Sequence, residues 1–187
     1  NTLLWGFRFD LAISAAFALL AYLAAQLLAL LPHRDFPATL RWTTFLATVG
    51  LILLHGADTL YYGEAGRHLG YELTEGLNSG AALAIAAITT YLVPVLGQLL
   101  MMLFAWFCTG WLFKRFSRQQ HHRLAAGAMT IPLLLLSVMM IRGGTQSVPL
   151  EPLHAQRIGD PQLATLALNG AYNALFSSIT PYSVNSL

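Results

Sequence analysis

Apolar residues do not alternate with polar ones along this chain; they come in long runs. The run at 11–31 holds no Lys, Arg, Asp or Glu and stops at Pro32. A second run covers 42–62, a third lies within 81–113, and a fourth covers 124–141. A helix needs about 20 apolar residues to cross the hydrocarbon core of a bilayer. Strands of a membrane barrel alternate apolar and polar positions instead, and these runs are apolar on every face. The pattern therefore predicts an all-α polytopic membrane domain. Its four transmembrane helices fall at about 11–31, 42–62, 89–113 and 124–141. The third run is longer than one span needs, so its first part reads as interfacial, with a kink expected at Pro94.

Polar segments between the runs predict interfacial helices on the outer face. In 64–78, Leu69, Leu73 and Leu77 recur at helical spacing and make an apolar lane. Glu64, His68 and Glu72 make a polar lane at the same spacing. Such a lane can ligate a divalent metal, but it more often forms a solvated face. After the last span, Gly143 and Gly144 permit a sharp turn and the following prolines keep the chain extended. Asp160-Pro161 is a cap and first-turn pair for a further interfacial helix reaching Ser178. The transmembrane helical domain is thus 1–141, and 142–187 reads as an extracytoplasmic linker.

Charge placement sets the expected direction. The loop "FKRFSRQQHHR" at 113–123 holds Lys114, Arg115, Arg118 and Arg123 and no acid, a cytoplasmic signature. Arg34 and Arg41 fit the same side. The segment 63–80 has three glutamates against Arg67 alone and fits the outer side. Four spans then leave both ends outside, and a further span upstream of Asn1 is expected, making five. His121 and His122 in the basic loop have no other ligands beside them for a metal.

Composition agrees with this class. Apolar residues make up 56% of the chain and charged residues only 10%, where soluble domains carry about a quarter charged. A net charge of +2 provides no basic face for nucleic acid. Cys108 is the single cysteine, so neither a disulfide framework nor a thiolate metal site can form within the chain.

Candidate chemistry gathers on the expected outer face. Arg8 and Asp10 stand at the mouth of the first span. Asp10 occupies a position suited to a helix N-cap, and Arg8 reads either as a snorkelling anchor or as a ligand for lipid phosphate. Two residues apart on a helix, they do not face each other and need different partners. Asp58 lies about one turn inside the second span, with His55 one turn deeper. Ionisable groups at such depth face protein or a wet cavity. Tyr61 and Tyr62 fit an aromatic belt. Arg8, Asp10, Asp58, Tyr62, Glu64, Arg67 and Arg142 form the tentative site for a lipid headgroup. No nucleophile with a base and an orienting partner is recognisable.

The motifs "GFRFDL" at 6–11, "DTLYY" at 58–62 followed by Arg67, and "RGGTQSVPL" at 142–150 followed by "LALNGAYNALFSS" at 166–178 occur in this order. The chain thereby resembles the membrane domain of the lipoteichoic-acid synthase-like family, phosphoglycerol transferases of the alkaline-phosphatase and sulfatase superfamily. The resemblance implies five membrane helices and an extracytoplasmic catalytic domain beyond Leu187. It implies a bacterial cytoplasmic membrane and phosphatidylglycerol as the donor lipid. A divalent metal such as manganese is implied in the catalytic domain, with no cofactor in this chain, and the acceptor would be a glycan or glycolipid. Catalytic residues are not carried over, because the positions that match them are not in this sequence. A phosphoethanolamine transferase shares this layout. A non-catalytic module that binds lipid or a partner and regulates envelope assembly is the competing reading.

Overall fold

The computed structural model describes residues 2–31, 36–78, 80–116 and 123–180, and every regular element among them is helical. The elements are α1 (Thr2–Ala29), α2 (Phe36–Ala65), α3 (Glu72–Asn78), α4 (Gly80–Thr90), α5 (Leu92–Phe116) and α6 (Arg123–Ile141). A 3-10 helix (Pro152–Ile158), α7 (Pro161–Ala167) and α8 (Gly170–Ile179) follow. Segments 32–35 and 117–122, which contain Arg34, Arg118, His121 and His122, lie outside the described residues.

Three helices are long and apolar enough to cross a membrane: α1, α2 and Leu92–Arg115 of α5. With 28 residues α1 is about 42 Å long, well beyond a hydrocarbon core of about 30 Å. Its first turns therefore have length to spare for contacts outside that core. Thr130–Ile141 forms a shorter apolar helix within α6. The packing order is α6–α1–α2–α5, with α1 central and touching both α2 and α6. On α1 the buried positions are mostly small, including Ala12, Ala15, Ala21 and Ala25, while Leu20, Leu27 and Leu28 point outward. Small residues at helix contacts and large aliphatics outside are the partition expected when lipid, not water, surrounds the bundle. The Tyr22 hydroxyl lies 2.6 Å from Thr130 Oγ1 and accepts a hydrogen bond from Gln26, tying α1 to α6.

Three expectations change. The segment 64–78 is not one helix. α2 continues to Ala65, Gly66 takes φ 68°, and helix resumes only at Glu72. The Leu69–Leu73–Leu77 lane is therefore broken, and Leu69 is buried on its own account. The long third run breaks at Tyr91 rather than bending at Pro94. Pro94 has no amide to donate and its ring crowds the carbonyl four residues back, so it is accommodated in the first turn of a new helix. The helix expected across 160–178 is two helices. Asp160 caps α7 as expected, accepting from the Gln162 and Leu163 amides. Asn169 then caps α8 by accepting from the Tyr172 amide.

The 142–180 segment folds back onto the start of α1 and the end of α2. Phe9 and Ala12 of α1 form a buried cluster with Leu150, Ala155 and Ala164, and Trp5, Leu168 and Tyr172 pack against it. Gly143 and Gly144 make the reversal with φ of 81° and 116°. A side chain at Gly143 would also meet Leu150 Cβ at 2.7 Å.

Candidate functional site

The cap formed by this fold-back gathers the polar residues at one end of the bundle. Asp58, on the last third of α2, is buried. Its carboxylate accepts from the Leu69 amide at 2.8 Å and faces His68 Nδ1 at 2.9 Å. The other ring nitrogen, Nε2, faces the Thr165 carbonyl at 2.9 Å. A carboxylate and a carbonyl can only accept, so both imidazole nitrogens must carry hydrogen. His68 is held as an imidazolium joining α2 to α7. Neither nitrogen is left to act as a general base. Burial alone would depress the His68 pKa, but the hydrogen bond to Asp58, the Thr165 carbonyl and attraction to the carboxylate outweigh it and raise the value.

Asp10 is not an N-cap. α1 begins at Thr2, which places Asp10 two turns inside the helix. It accepts from Asn169 Nδ2 at 2.6 Å. The same amide nitrogen lies 3.1 Å from His55 Nε2, while His55 Nδ1 lies 2.9 Å from the Leu51 carbonyl. The carbonyl requires the proton on Nδ1, so Nε2 accepts from Asn169 and His55 is neutral. Asn169 thus links α1, α2 and α8 while capping α8. Asn169→Ala removes all three roles and is expected to destabilise the fold by about 1–2 kcal/mol. A denaturant titration in mild detergent that shows no loss would contradict this assignment.

Arg8 reaches different partners, as the two-residue spacing required. Its Nε donates to the Gly143 carbonyl at 3.1 Å, and Nη2 donates to that carbonyl and to Gln146 Oε1 at 2.6 Å. Its guanidinium lies 4.7 Å over the Trp5 ring, which stacks in turn on His154. Arg8 therefore holds the glycine turn shut, beyond what a snorkelling side chain would do. Arg142 donates to the Ser147 carbonyl of the same turn at 2.9 Å. The Gln146 Nε2 atom is buried and has no hydrogen-bond partner among the described residues.

Arg67 lies apart from this pair. It makes a salt bridge with Glu72 and sits over the Tyr61 ring. Glu72 also accepts from the Tyr61 hydroxyl and the Gly70 amide. Burial opposes ionisation of Glu72, yet its own backbone amide and the donors from Arg67, Tyr61 and Gly70 hold its carboxyl below the usual range. Glu64 accepts from the Tyr91 hydroxyl at 2.6 Å, so Glu64, His68 and Glu72 each turn to a different partner rather than to a shared ion. The Tyr62 ring packs 5.0 Å from His68. In α8, the Tyr172 hydroxyl donates to the Leu150 carbonyl, and burial pushes its pKa up to about 12.

An open cleft of ≈ 880 Å³ runs between the 66–70 loop, the 3-10 helix, α7 and α8. Arg67 and His68, the acids Glu151 and Asp160, and the uncharged Gln156, Thr165, Asn173, Ser177 and Thr180 supply its polar edge, and the rest of its wall is apolar. Of the three arginines expected to meet at one anion site, Arg67 lines this cleft, while Arg8 and Arg142 clamp the glycine turn instead. Sequence reasoning passed over Asn169, Gln146 and Gly170. The Asn-Gly pair at 169–170 was a readable cap signal; Gln146 had none.

Fold and site together define an all-helical membrane protein with a polar cap over one end of its spans. No protein-family model, curated protein or solved structure matches the chain.

Proposed function

We propose that this chain is the membrane domain of an envelope lipid-headgroup transferase, which presents the phosphoglycerol headgroup of phosphatidylglycerol to an extracytoplasmic catalytic domain. The observation that carries the reading is the cleft at the end of the spans. An exposed arginine lines it, hydrogen-bonding side chains supply its polar edge, and the rest of its wall is largely apolar. A phospholipid drawn partly out of its leaflet needs this combination, because its phosphate requires a cation and its glycerol hydroxyls require donors and acceptors. The proposal includes α6 as a fourth span, the cap on the outer side of a bacterial cytoplasmic membrane, and a divalent metal held by the catalytic domain. Arg67 binds the phosphate in this scheme. Arg8, Asp10, Asp58, Tyr62 and Arg142 shape the cap around it, and Glu64 orders its edge.

The test uses the full-length protein with fluorescent phosphatidylglycerol, a glycolipid acceptor with a free hydroxyl to take the phosphoglycerol group, and manganese. Diacylglycerol should be released, and Arg67→Gln should lower turnover at subsaturating lipid by about tenfold, the worth of one charge-assisted phosphate bond. Arg67→Lys should recover part of that loss, since an ammonium lacks the bidentate fork. Release of diacylglycerol from phosphatidylethanolamine alone, with ethanolamine phosphate passed to the acceptor, would move the assignment to the related phosphoethanolamine transfer. No turnover of either lipid, with retained lipid binding, would favour a regulatory module.

A further inference from the structure

We propose a second lipid site at the opposite end of the bundle, where α2 begins and α5 ends: a site centred on Arg41 for the phosphate of an anionic membrane lipid. Arg41 contacts α5 at Trp106 and Gly110, whereas Gly56 further along α2 meets Gln98. The two helices therefore run antiparallel. Arg41 lies 17 residues before Asp58 on α2, about 25 Å along the helix. The site is thus remote from the cap and independent of the function proposed for it.

The side chain is held but not satisfied. Its guanidinium stacks 4.9 Å over the Trp106 ring. Its Nη2 lies 3.2 Å from where a Cβ would stand on Gly110, so the absence of a side chain there makes room for it. The Nε atom is buried and has no hydrogen-bond partner among the described residues. Among the described residues, none accepts from any of its donors. A guanidinium carries five N–H donors in a planar fork that matches phosphate oxygens. A cation fixed on an aromatic face inside an apolar bundle, with its fork unused, calls for an anionic oxygen ligand.

The surroundings identify the ligand as a lipid. Gly110 is six residues from Phe116, the end of α5, so the guanidinium lies about 9 Å inside that end. Lys114, one turn beyond Gly110, is exposed and adds a second cation nearer the surface. Trp42 and Phe45 pack on Trp106 with ring centroids 5.1 Å away in each case. Trp42, Leu46, Leu103 and Phe107 are all more than half exposed, which provides apolar surface for acyl chains. A free anion would gain nothing from those faces; a lipid fills both parts.

Trp106 can report on the site. The chain has four tryptophans, so Trp5→Phe, Trp42→Phe and Trp111→Phe together leave Trp106 as the only one. This protein is reconstituted into phosphatidylcholine vesicles in which either phosphatidylglycerol or phosphatidylcholine carries brominated acyl chains at equal mole fraction. Brominated phosphatidylglycerol should quench Trp106 with about a tenfold preference over brominated phosphatidylcholine. Arg41→Gln should abolish the preference and Arg41→Lys should keep part of it. Lys114→Gln, at an exposed position, should fold normally and lower the preference about threefold. Soluble glycerol phosphate should not relieve the quenching. Equal quenching by both lipids overturns the site, as does a preference that survives Arg41→Gln. Relief by soluble glycerol phosphate would mean a free-anion site and overturn the lipid assignment.

Discussion

Gly170→Ala is expected to release the cap from the bundle. A Cβ at position 170 would stand 1.8 Å from Asp58 Oδ2 and 1.9 Å from its Cγ. Separations that short force either the carboxylate or the start of α8 to move. The carboxylate is buried and cannot step aside without giving up His68 and the Leu69 amide. Moving α8 instead breaks the Asn169 junction with Asp10 and His55. Overpacking typically costs about 1–3 kcal/mol, and a lost hydrogen bond to a charged group about 1.5–3 kcal/mol. A destabilisation of about 3 kcal/mol should result, read as a lower unfolding midpoint in mild detergent. Asp58→Ala in the same chain removes the colliding group. The double variant should therefore be more stable than the sum of the single losses implies, by more than about 1 kcal/mol. Strict additivity, or a Gly170→Ala protein that unfolds like the parent, would show that the contact between α2 and α8 is not what holds the cap.

The second large effect is a pH dependence of the same cap. His68 binds two acceptors only as the imidazolium, and its pKa in the folded protein is raised above the ordinary 6.5. A group whose pKa rises on folding stabilises fully below its unfolded pKa, and the contribution disappears as pH climbs through the folded value. Cap stability contributed by His68 should therefore be complete in mildly acidic solution and decline toward alkaline pH. Tyr62 offers its ring, Asp58 its carboxylate, and Arg67 is already paired with Glu72, so among the described residues no unpaired like charge faces the imidazolium. In His68→Gln the amide can replace one donor but carries no charge. Unfolding midpoints of parent and variant should differ most in acid and converge as pH rises. A gap that widens toward alkaline pH would mean that His68 is neutral in the fold.

How much of this was legible beforehand depends on the range of each interaction. The Asp160 cap and the Gly143-Gly144 reversal were readable because each acts within a few residues: a carboxylate reaching the next amides, and a backbone needing positive φ. The break near Pro94 was half readable. Proline geometry required a disturbance, but whether the chain bends or starts a new helix depends on where α4 and α5 can each pack. Asp10 was misread for the same reason. Its local position suited a cap, yet α1 starts eight residues earlier, and the partner that occupies it, Asn169, lies 159 residues away.

By itself the sequence determined that this is a helical membrane protein, since uninterrupted apolar runs of bilayer length leave the backbone no cheaper way to satisfy its hydrogen bonds in hydrocarbon than to coil. It also determined that Arg8 and Asp10 need separate partners, because helical geometry turns them apart. Only the tertiary structure decided which partners those are. It closed the tail over α1 and α2, set His68 between Asp58 and Thr165, and gave Arg41 no acceptor among the described residues. Hydropathy reports how each residue partitions between water and lipid, one position at a time. Pairing among the few polar groups that remain is a property of the folded surface, where residues a hundred positions apart meet because the apolar packing beneath them has already fixed their places.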